Sequence, residues 1–486
     1  MKNILKKLSP LALALLLLSG CEKDYLDTVP TDQVSAETAF ASTNGAYAVL
    51  NGTYRSMWTS LGTGHDAFGQ KAIDLAMDVM GNDMVIHGTA YGWYNPDQRY
   101  TAGTNPANGQ RSALTWQYYY RTINNANLLI NNVDGTSGST TDKENIKGQA
   151  LALRAYNYFY LVNLWQHTYK GHENDPGVPL YTESTLVGKP RASVQEVYTQ
   201  IIADLTQAET LLTGKSRRHI SHINVNTVKG MRARVALQME DWQTAATKAN
   251  EARQANALMD NAMYSAGFGK YNREWIWGLE VSVDQSTILA SFFSHHDATA
   301  GGYAGVGMQK KITKELYDKI PTGDARKALF RTPGTGTSTQ PDYNSTKFKL
   351  PTAGSWAADY ILMRSGEMYL IEAEALARLD KPVEAAAVLE SLVKPKNALY
   401  VAPLIKDALI AEILLQRRIE LWGEGFSLLD IKRLKQGLNR PSGTGNHQPA
   451  VAVVYTLPAE DKTFLYRIPQ AEIDANASID LDDQNP

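Results

Sequence analysis

Apolar side chains recur at helical spacing through most of this chain, and that pattern constrains its fold more than any other feature. Between residues 37 and 58, Phe40, Tyr47, Leu50 and Tyr54 are separated by three, four or seven residues, so they share one face of a helix. The same criterion predicts helices over residues 115–133, 144–166, 193–212, 224–256 (two helices) and 360–438. The pattern therefore predicts a mostly α fold.

Two long stretches, residues 61–113 and 257–358, lose this periodicity. They are rich in Gly, Asn, Asp and aromatic residues, a composition typical of loops, although residues 275–279 (WIWGL) are strand-like. Binding residues concentrate on loops that a rigid scaffold holds in place. We therefore expect long irregular, partly β insertions that form the ligand-binding face of a helical scaffold.

A helix–turn–helix pattern occurs twice, with turns at residues 240–241 and 380–382. The flanking residues that match are Val235-Ala236, Trp242 and Ala245-Ala246 in the first copy, and Leu376-Ala377, Val383 and Ala386-Ala387 in the second. Small Ala side chains let paired helices approach closely, as in tetratricopeptide hairpins, which stack to bury a continuous core. We predict a tetratricopeptide-like helical hairpin scaffold. An ordinary helical bundle with Ala-rich contacts is the alternative.

The N-terminus is typical of a lipoprotein signal peptide. Lys2, Lys6 and Lys7 precede an apolar run at residues 11–18, which is too short to span a bilayer. The run ends in small residues and then Cys21, the only cysteine, as in a bacterial lipobox whose Cys becomes residue one and carries acyl chains such as palmitate. We predict a signal peptide over residues 1–20, a lipidated tether over 21–36 and a single domain over 37–486.

The charge of the mature chain argues against nucleic acid as a partner. Removal of residues 1–20, which hold three lysines and no acidic residue, moves the net charge from −2 to about −5. Proteins that bind nucleic acid or an anionic membrane need a basic face. We expect no nucleic-acid partner.

The two insertions supply the residue types of a carbohydrate site. A sugar presents apolar C–H faces and hydroxyl groups, so it needs flat aromatic rings flanked by polar side chains. Trp93 and Tyr94 lack periodic apolar neighbours, which favours exposure, whereas Trp275 and Trp277 would share one side of a strand, which also fits a core position. The candidate ligand-binding residues are Asn82, Asp83, Trp93, Tyr94, Asn95, Asp97, Arg99, Tyr271, Trp275, Trp277 and Tyr303.

Motifs for catalysis or metal binding are weak. The adjacent side chains of His295 and His296 point apart on a strand or a helix, so they rarely share one ion, and we expect no metal site and no cofactor. The chain has no Walker A, nucleophile-elbow or zinc-protease motif. A glycosidase, the rival interpretation, needs two carboxylates, for which Asp78 and Asp83 are candidates. We expect a non-enzymatic protein with no catalytic residues.

Four segments resemble the SusD/RagB family of outer-membrane nutrient-binding lipoproteins. They run in the family's order from the lipobox to the last residue, with departures at Gln416, where an acidic residue is usual, and Ser427, where Arg or an aromatic residue is commoner. The segments are residues 21–40 (CEKDYLDTVP, then SAETAF), 154–180 (RAYNYFYLV, then PGVPL), 363–433 (MRSGEMYLIEAEA, then RRIELWGEGFSLLDIKR) and 467–486 (RIPQAEIDAN, then QNP).

This resemblance implies a surface-exposed, lipid-anchored protein of the outer membrane that serves polysaccharide utilisation. Family members cover a SusC-like TonB-dependent outer-membrane transporter, capture oligosaccharides and deliver them to it. The resemblance leaves the ligand open. We expect a glycan, with a peptide or another nutrient as the alternative.

Overall fold

The computed structural model describes residues 35–62, 64–101, 109–440, 445–452 and 454–486. The predicted signal peptide and Cys21 lie outside these residues. The α-helices are α1 (Ala36–Ala39), α2 (Thr43–Ser56), α3 (Gln70–Met80), α4 (Asn95–Gln98), α5 (Gln110–Asn132), α6 (Thr140–Trp165), α7 (Val194–Leu212), α8 (Val225–Met239), α9 (Trp242–Arg253), α10 (Asn261–Ser265), α11 (Phe292–His296), α12 (Lys314–Lys319), α13 (Ser365–Arg378), α14 (Pro382–Val393), α15 (Lys406–Glu420), α16 (Ser427–Arg433) and α17 (Gln470–Ala475).

The strands in the described residues are short and form antiparallel two-stranded sheets. They are β1 (Met84–Ile86), β2 (Pro176–Pro179), β3 (Arg191–Ser193), β4 (Trp275–Leu279), β5 (Lys310–Ile312), β6 (Tyr360–Arg364), β7 (Leu438–Asn439) and β8 (Thr456–Leu457). The pairs are β1–β5, β2–β3, β4–β6 and β7–β8. The prediction of a mostly α fold is confirmed, and so is the strand at residues 275–279.

Several element boundaries differ from the sequence prediction. Residues 37–58 form two helices, because Ser42 ends the first segment and caps α2 by accepting a hydrogen bond from the backbone N–H of Gly45. The stretch 360–438 begins with strand β6 rather than a helix.

Residues 61–113 contain α3, which the sequence prediction missed. All of α3 is buried, including Gln70, Asp74 and Asp78, whose spacing places them on one face of the helix. The sequence prediction classed the whole stretch as irregular from its Gly- and Asn-rich composition.

Both predicted hairpins are present, as α8–α9 and α13–α14. Glu240 and Asp380 hold equivalent left-handed positions in the two turns, each with φ of 60°. Ala245 and Ala246 are buried, as are Ala385 and Ala386. Equivalent positions of the two hairpins are therefore 140 residues apart in the chain. The sequence analysis matched positions 141 residues apart, so its alignment was wrong by one residue. Val383, which it matched to half-buried Trp242, is 66% exposed.

A buried ion network joins the β4–β6 sheet to the helical scaffold. Arg364, at the end of β6, donates hydrogen bonds to Glu274, Glu420 and Glu424. A buried charge needs partners that satisfy it, and here three carboxylates surround one guanidinium. The network fixes the second insertion against α15. No helix in the described part of the chain is long and apolar enough to cross a membrane.

The two insertions meet at the β1–β5 sheet. Met84 pairs with Ile312 and Ile86 with Lys310. Beyond β1 the backbones approach so closely that a Cβ on Gly88, whose φ is +77°, would lie 2.5 Å from the carbonyl oxygen of Gly307. Glycine is needed where a positive φ coincides with close backbone contact. This sheet brings the loop after β1 beside the loop before β5.

Candidate ligand-binding site

An aromatic patch lies where these two loops meet. We define it by Tyr91 and Trp93 of the first insertion, Tyr303 of the second, and His65. The ring centre of Tyr303 is 5.1 Å from that of Tyr91 and 5.7 Å from that of Trp93, both edge-to-face. His65 stacks on Trp93 at 5.8 Å, and its Nδ1 shares a 2.5 Å hydrogen bond with the Tyr303 hydroxyl. The patch is a cluster of mutually supporting rings.

Exposure differs sharply among the rings of the patch. Tyr91 is 68% exposed, Trp93 is half-buried and Tyr303 is 5% exposed. Tyr91 also has φ of 60°, a left-handed conformation that is costly for a bulky residue and that concentrates at functional sites. The backbone thus holds a large aromatic ring in solvent against the more deeply placed ring of Tyr303.

A buried layer supports the patch from below. His295 stacks on Tyr303 with ring centres 5.1 Å apart, and Tyr94 packs edge-on against His295. Burial lowers the pKa of His295 well below its ordinary value, so this ring is neutral. Burial also lowers the pKa of Lys310, whose ammonium lies 5.6 Å from the Tyr94 ring, to about 7.

Arg111 on α5 anchors the first insertion beside the patch. Its guanidinium donates hydrogen bonds to Asp97 at 3.0 Å and to Asp66 at 2.5 Å, and lies 4.9 Å from the Tyr94 ring centre. Each partner comes from a different segment of the chain. The pairing therefore holds α4, α5 and the loop at Asp66 in one arrangement.

Besides the Tyr94 hydroxyl and the His295 Nδ1 in the buried layer, two polar atoms beside the patch have no hydrogen-bond partner among the described residues. They are the indole Nε1 of Trp93, a donor, and the Oδ1 of Asp66, an acceptor. An unsatisfied buried polar group carries a desolvation cost of about 1–3 kcal/mol. A hydroxyl group can satisfy either atom, because it both donates and accepts.

The tryptophans of the second insertion are placed in the core. Trp275 and Trp277 are fully buried in β4, and the Trp277 Nε1 donates to the carbonyl of Ser221. Tyr271 is half-buried and donates its hydroxyl proton to the carbonyl of Trp275. The structure therefore supports a core position for Trp275 and Trp277, and neither they nor Tyr271 belong to the patch.

The polar candidates of the first insertion serve mainly structural contacts. Asp83 accepts two hydrogen bonds from Arg418, at 2.9 and 2.6 Å. Asn82 accepts from the backbone N–H of Asn439, and Arg99 donates to the carbonyls of residues 450 and 451. Tyr94, Asn95 and Asp97 are buried. Of the predicted site residues, Trp93 and Tyr303 are the ones in the patch.

The structure adds His65, Asp66 and Tyr91 to the candidate site. Tyr91 belongs to the aromatic-rich window of the first insertion, so composition alone could have included it. His65 and Asp66 lie outside that window, in a segment with few distinguishing residues. Their contacts with Trp93, Tyr303 and Arg111 depend on tertiary structure.

The carboxylates considered for hydrolysis are engaged elsewhere. Asp78 is buried and accepts hydrogen bonds from the backbone N–H groups of Gly425 and Ser427, and burial raises its pKa to about 7. Asp83 is held by Arg418. Within the described residues, no group of three or more His, Cys, Asp or Glu side chains is arranged to hold a metal ion.

The fold and the patch define an α-helical scaffold protein whose irregular insertions carry an exposed aromatic surface. A family model described as "Starch-binding associating with outer membrane" matches residues 24–237, and one described as "SusD family" matches residues 335–486. The crystal structure of a SusD-like carbohydrate binding protein from Bacteroides vulgatus is 30% identical, with a TM-score of 0.81 over 92% of this chain and 98% of that one. The chain belongs to the SusD family.

Curated relatives agree with this assignment. SusD-like protein P2 from Formosa agariphila is 26% identical over 90% of this chain and 92% of the relative. SusD-like protein P25 from the same organism is 24% identical, but that match covers 54% of this chain and 50% of the relative. The likeness to P2 runs through most of both chains.

Proposed function

We propose that this protein captures an oligosaccharide on the aromatic patch without cleaving it. The observation that carries the proposal is Tyr91, a tyrosine held in solvent by a left-handed backbone beside Trp93 and Tyr303. Stacked and angled rings match the apolar faces of a sugar. The unpartnered Trp93 Nε1 and Asp66 Oδ1 match its hydroxyl groups.

The proposal includes a cellular setting. The protein is a surface-exposed lipoprotein of the outer membrane, attached through Cys21, and it delivers its ligand to a SusC-like TonB-dependent transporter. The lipobox-like sequence at residues 18–21 and the family description that associates starch binding with the outer membrane support this setting. The carbohydrate-binding relative from Bacteroides vulgatus supports the ligand class.

Calorimetry of the protein from residue 22 onward against a panel of soluble glycans tests the proposal. Tyr91→Ala is the main variant, because this side chain is mostly exposed and its removal leaves the core intact. We expect the affinity for the bound glycan to fall about tenfold, which corresponds to about 1.4 kcal/mol. Leu399→Ala, which removes an apolar side chain that is 92% exposed on the scaffold, is the control and should bind as the unaltered protein does.

Product analysis of each mixture over time distinguishes the alternatives. Binding without sugar release supports capture. Release of shorter sugars contradicts the non-enzymatic role and favours a glycoside hydrolase. If no glycan binds but peptides do, the ligand class is wrong. Unchanged affinity in Tyr91→Ala would exclude the patch as the glycan site.

A further inference from the structure

A second concave surface lies apart from the aromatic patch. We call it the polar cleft and define it by Tyr47, Gly52 and Trp58 in and after α2, His222 before α8, and Glu280 and Gln285 after β4. Its volume is about 650 Å³. That volume falls within the range of small-molecule sites.

Gly52 distinguishes this cleft from ordinary surface. Glycine is the poorest helix former after proline, so a glycine inside a helix needs a reason. The other glycines within the described α-helices have one, since an added Cβ would strike a neighbour. They are Gly45, Gly148, Gly230 and Gly366, which face Ala39, Leu212, Met363 and Arg364 respectively. A Cβ on Gly52 would meet nothing within 4 Å, so no packing contact of this chain explains it.

The walls of the cleft combine flat rings with polar groups. Tyr47 and Tyr54 both stack on His222, with ring centres 6.3 and 5.2 Å apart. The Trp58 Nε1 is buried and has no hydrogen-bond partner among the described residues. Exposed Asn51 accepts a hydrogen bond from the Nε2 of His222 at 2.7 Å, if that nitrogen carries the proton. The rings are packed on one another, and the amide, imidazole and indole groups among them are hydrogen-bonding groups of the kind that recognise hydroxyl-rich ligands.

The charges around the cleft favour an uncharged ligand. Arg218 is paired with Asp142, and Glu280 lies 2.9 Å from the Nε2 of His219. Burial lowers the pKa of His222 to about 4, so its ring is neutral at physiological pH.

Exposed Arg55 also lines the cleft and lies near the carboxylate of Asp284. A phosphate or carboxylate ligand would therefore meet cations that already have acidic neighbours. A neutral polyhydroxylated ligand needs no free charge in the cleft to balance its own.

We propose that the polar cleft is a second carbohydrate-binding site, in which a sugar ring lies over Gly52 and its hydroxyl groups meet the polar groups of the wall. The absence of a side chain at Gly52 allows this close approach. The rings of Tyr47 and Trp58 are 5% and 6% exposed, and the Arg218 guanidinium covers Tyr47 at 3.9 Å, so these rings shape the wall and do not stack on the sugar. The ligand class rests on the proposed function, but the cleft is separate from the aromatic patch. Two sites on one molecule raise the avidity for a long glycan that reaches both.

Variants at Gly52 test the cleft. Thermal unfolding comes first, and Gly52→Ala and Gly52→Leu are expected to raise the melting temperature, because both residues are better helix formers. Calorimetry follows with maltoheptaose, cellohexaose, laminarihexaose and mannohexaose in a background of Tyr91→Ala with Trp93→Ala, which removes the patch. We expect residual binding of at least one oligosaccharide, and Gly52→Leu should weaken it about tenfold by filling the cleft.

Ala387→Leu, at an exposed position of α14, is the matched control and should leave the residual affinity unchanged. A lower melting temperature in Gly52→Ala would overturn the inference, since packing would then explain the glycine. Loss of all binding in the patch background, or residual binding that Gly52→Leu leaves unchanged, would also overturn it while the proposed function stands. If the unaltered protein binds no oligosaccharide at all, the proposed function fails, and the ligand class of the cleft fails with it.

Discussion

At the scale of single residues, Arg364 is where the buried charges of the scaffold converge. It is 1% exposed and contacts three carboxylates, two of them on α15 or just after it. Removing one partner of a buried ion network leaves the others uncompensated and costs about 3–5 kcal/mol. We expect Arg364→Met to lower the free energy of unfolding by that amount in urea titrations.

The exposed ion pair between Lys406 and Asp380 provides a control for that experiment. Both side chains are largely in solvent, and such pairs contribute about 0–1 kcal/mol. Lys406→Met should therefore change the unfolding free energy little. Equal losses in the two variants would contradict the assignment of Arg364 as the centre of a buried network.

The same network makes stability depend on pH. Burial opposes ionisation of Glu424, but Arg364 and Lys347 outweigh it and hold its pKa at about 2, against an ordinary value of 4.5. Lys396, Arg364 and Arg326 likewise lower the pKa of buried Glu420. A carboxylate with a depressed pKa stabilises the fold above its unfolded-state value and loses this contribution as pH falls through the folded one. We expect the unfolding free energy to drop between about pH 4.5 and 2.

Urea unfolding across that pH range checks the expectation. Glu424→Gln removes one titrating group, so its unfolding free energy should be lower at neutral pH and should fall less steeply with acid. An unaltered acid dependence in this variant would show that other groups control it.

The identity of an aromatic residue did not show whether it lies in the aromatic patch or in the hydrophobic core. Trp93 and Trp277 both lie in aromatic-rich insertions, yet one is half-buried in the patch and the other is fully buried in β4. The alternation around Ile276 predicted a one-sided strand, but all five residues of β4, Ile276 included, are buried. Which face of a short strand is covered depends on what packs on it, and the β4–β6 pairing is not encoded locally.

At the scale of elements, the paired helices fit each other through small residues. Gly148 on α6 faces α7, and a Cβ there would lie 2.7 Å from the Cγ of Leu212 and 3.2 Å from the Cβ of Leu211. Overpacking of this kind costs about 1–3 kcal/mol, which outweighs the gain of about 1 kcal/mol in helix propensity. We expect Gly148→Ala to lower the midpoint of urea unfolding.

Gly52→Ala is the matched comparison, because it makes the same chemical change in a helix without a facing neighbour. It should raise the midpoint. If both alanines stabilise the protein, α6 and α7 are not packed as closely as the structure indicates.

The sequence predicted the scaffold helices well, since α5 to α9 are 12 to 26 residues long, enough for a helical pattern to be recognised. It missed α3, which has 11 residues and lies in a stretch whose composition is typical of loops. It also missed β1 and β5, which have three residues each, too few for an alternating pattern to be recognised. These elements are the ones that join the insertions, so the position of the patch could not be predicted from local patterns.

At the scale of the whole molecule, the predicted anchor is open to a direct test. Acyl chains on Cys21 would hold the protein on a membrane, because each buried CH₂ contributes about 0.8 kcal/mol. We expect Cys21→Ser to move the protein from the membrane fraction to the soluble fraction and to abolish labelling by a palmitate analogue. The soluble variant should bind glycan as well as the anchored protein does.

Persistent membrane association of Cys21→Ser, with no label in either protein, would show that the chain is not lipidated at this residue. Cys21 lies outside the described residues, so this prediction rests on the sequence alone.

The hydrogen bond between His65 and Tyr303 joins residues 238 positions apart in the chain. Contacts of such long range form slowly, because the loop-closure entropy is lost before the contact is gained. The helical hairpins, whose partners are neighbours in sequence, have no such delay. During secretion and refolding, the scaffold should therefore form before the aromatic patch exists, and glycan binding should be the last native property that a newly made molecule acquires.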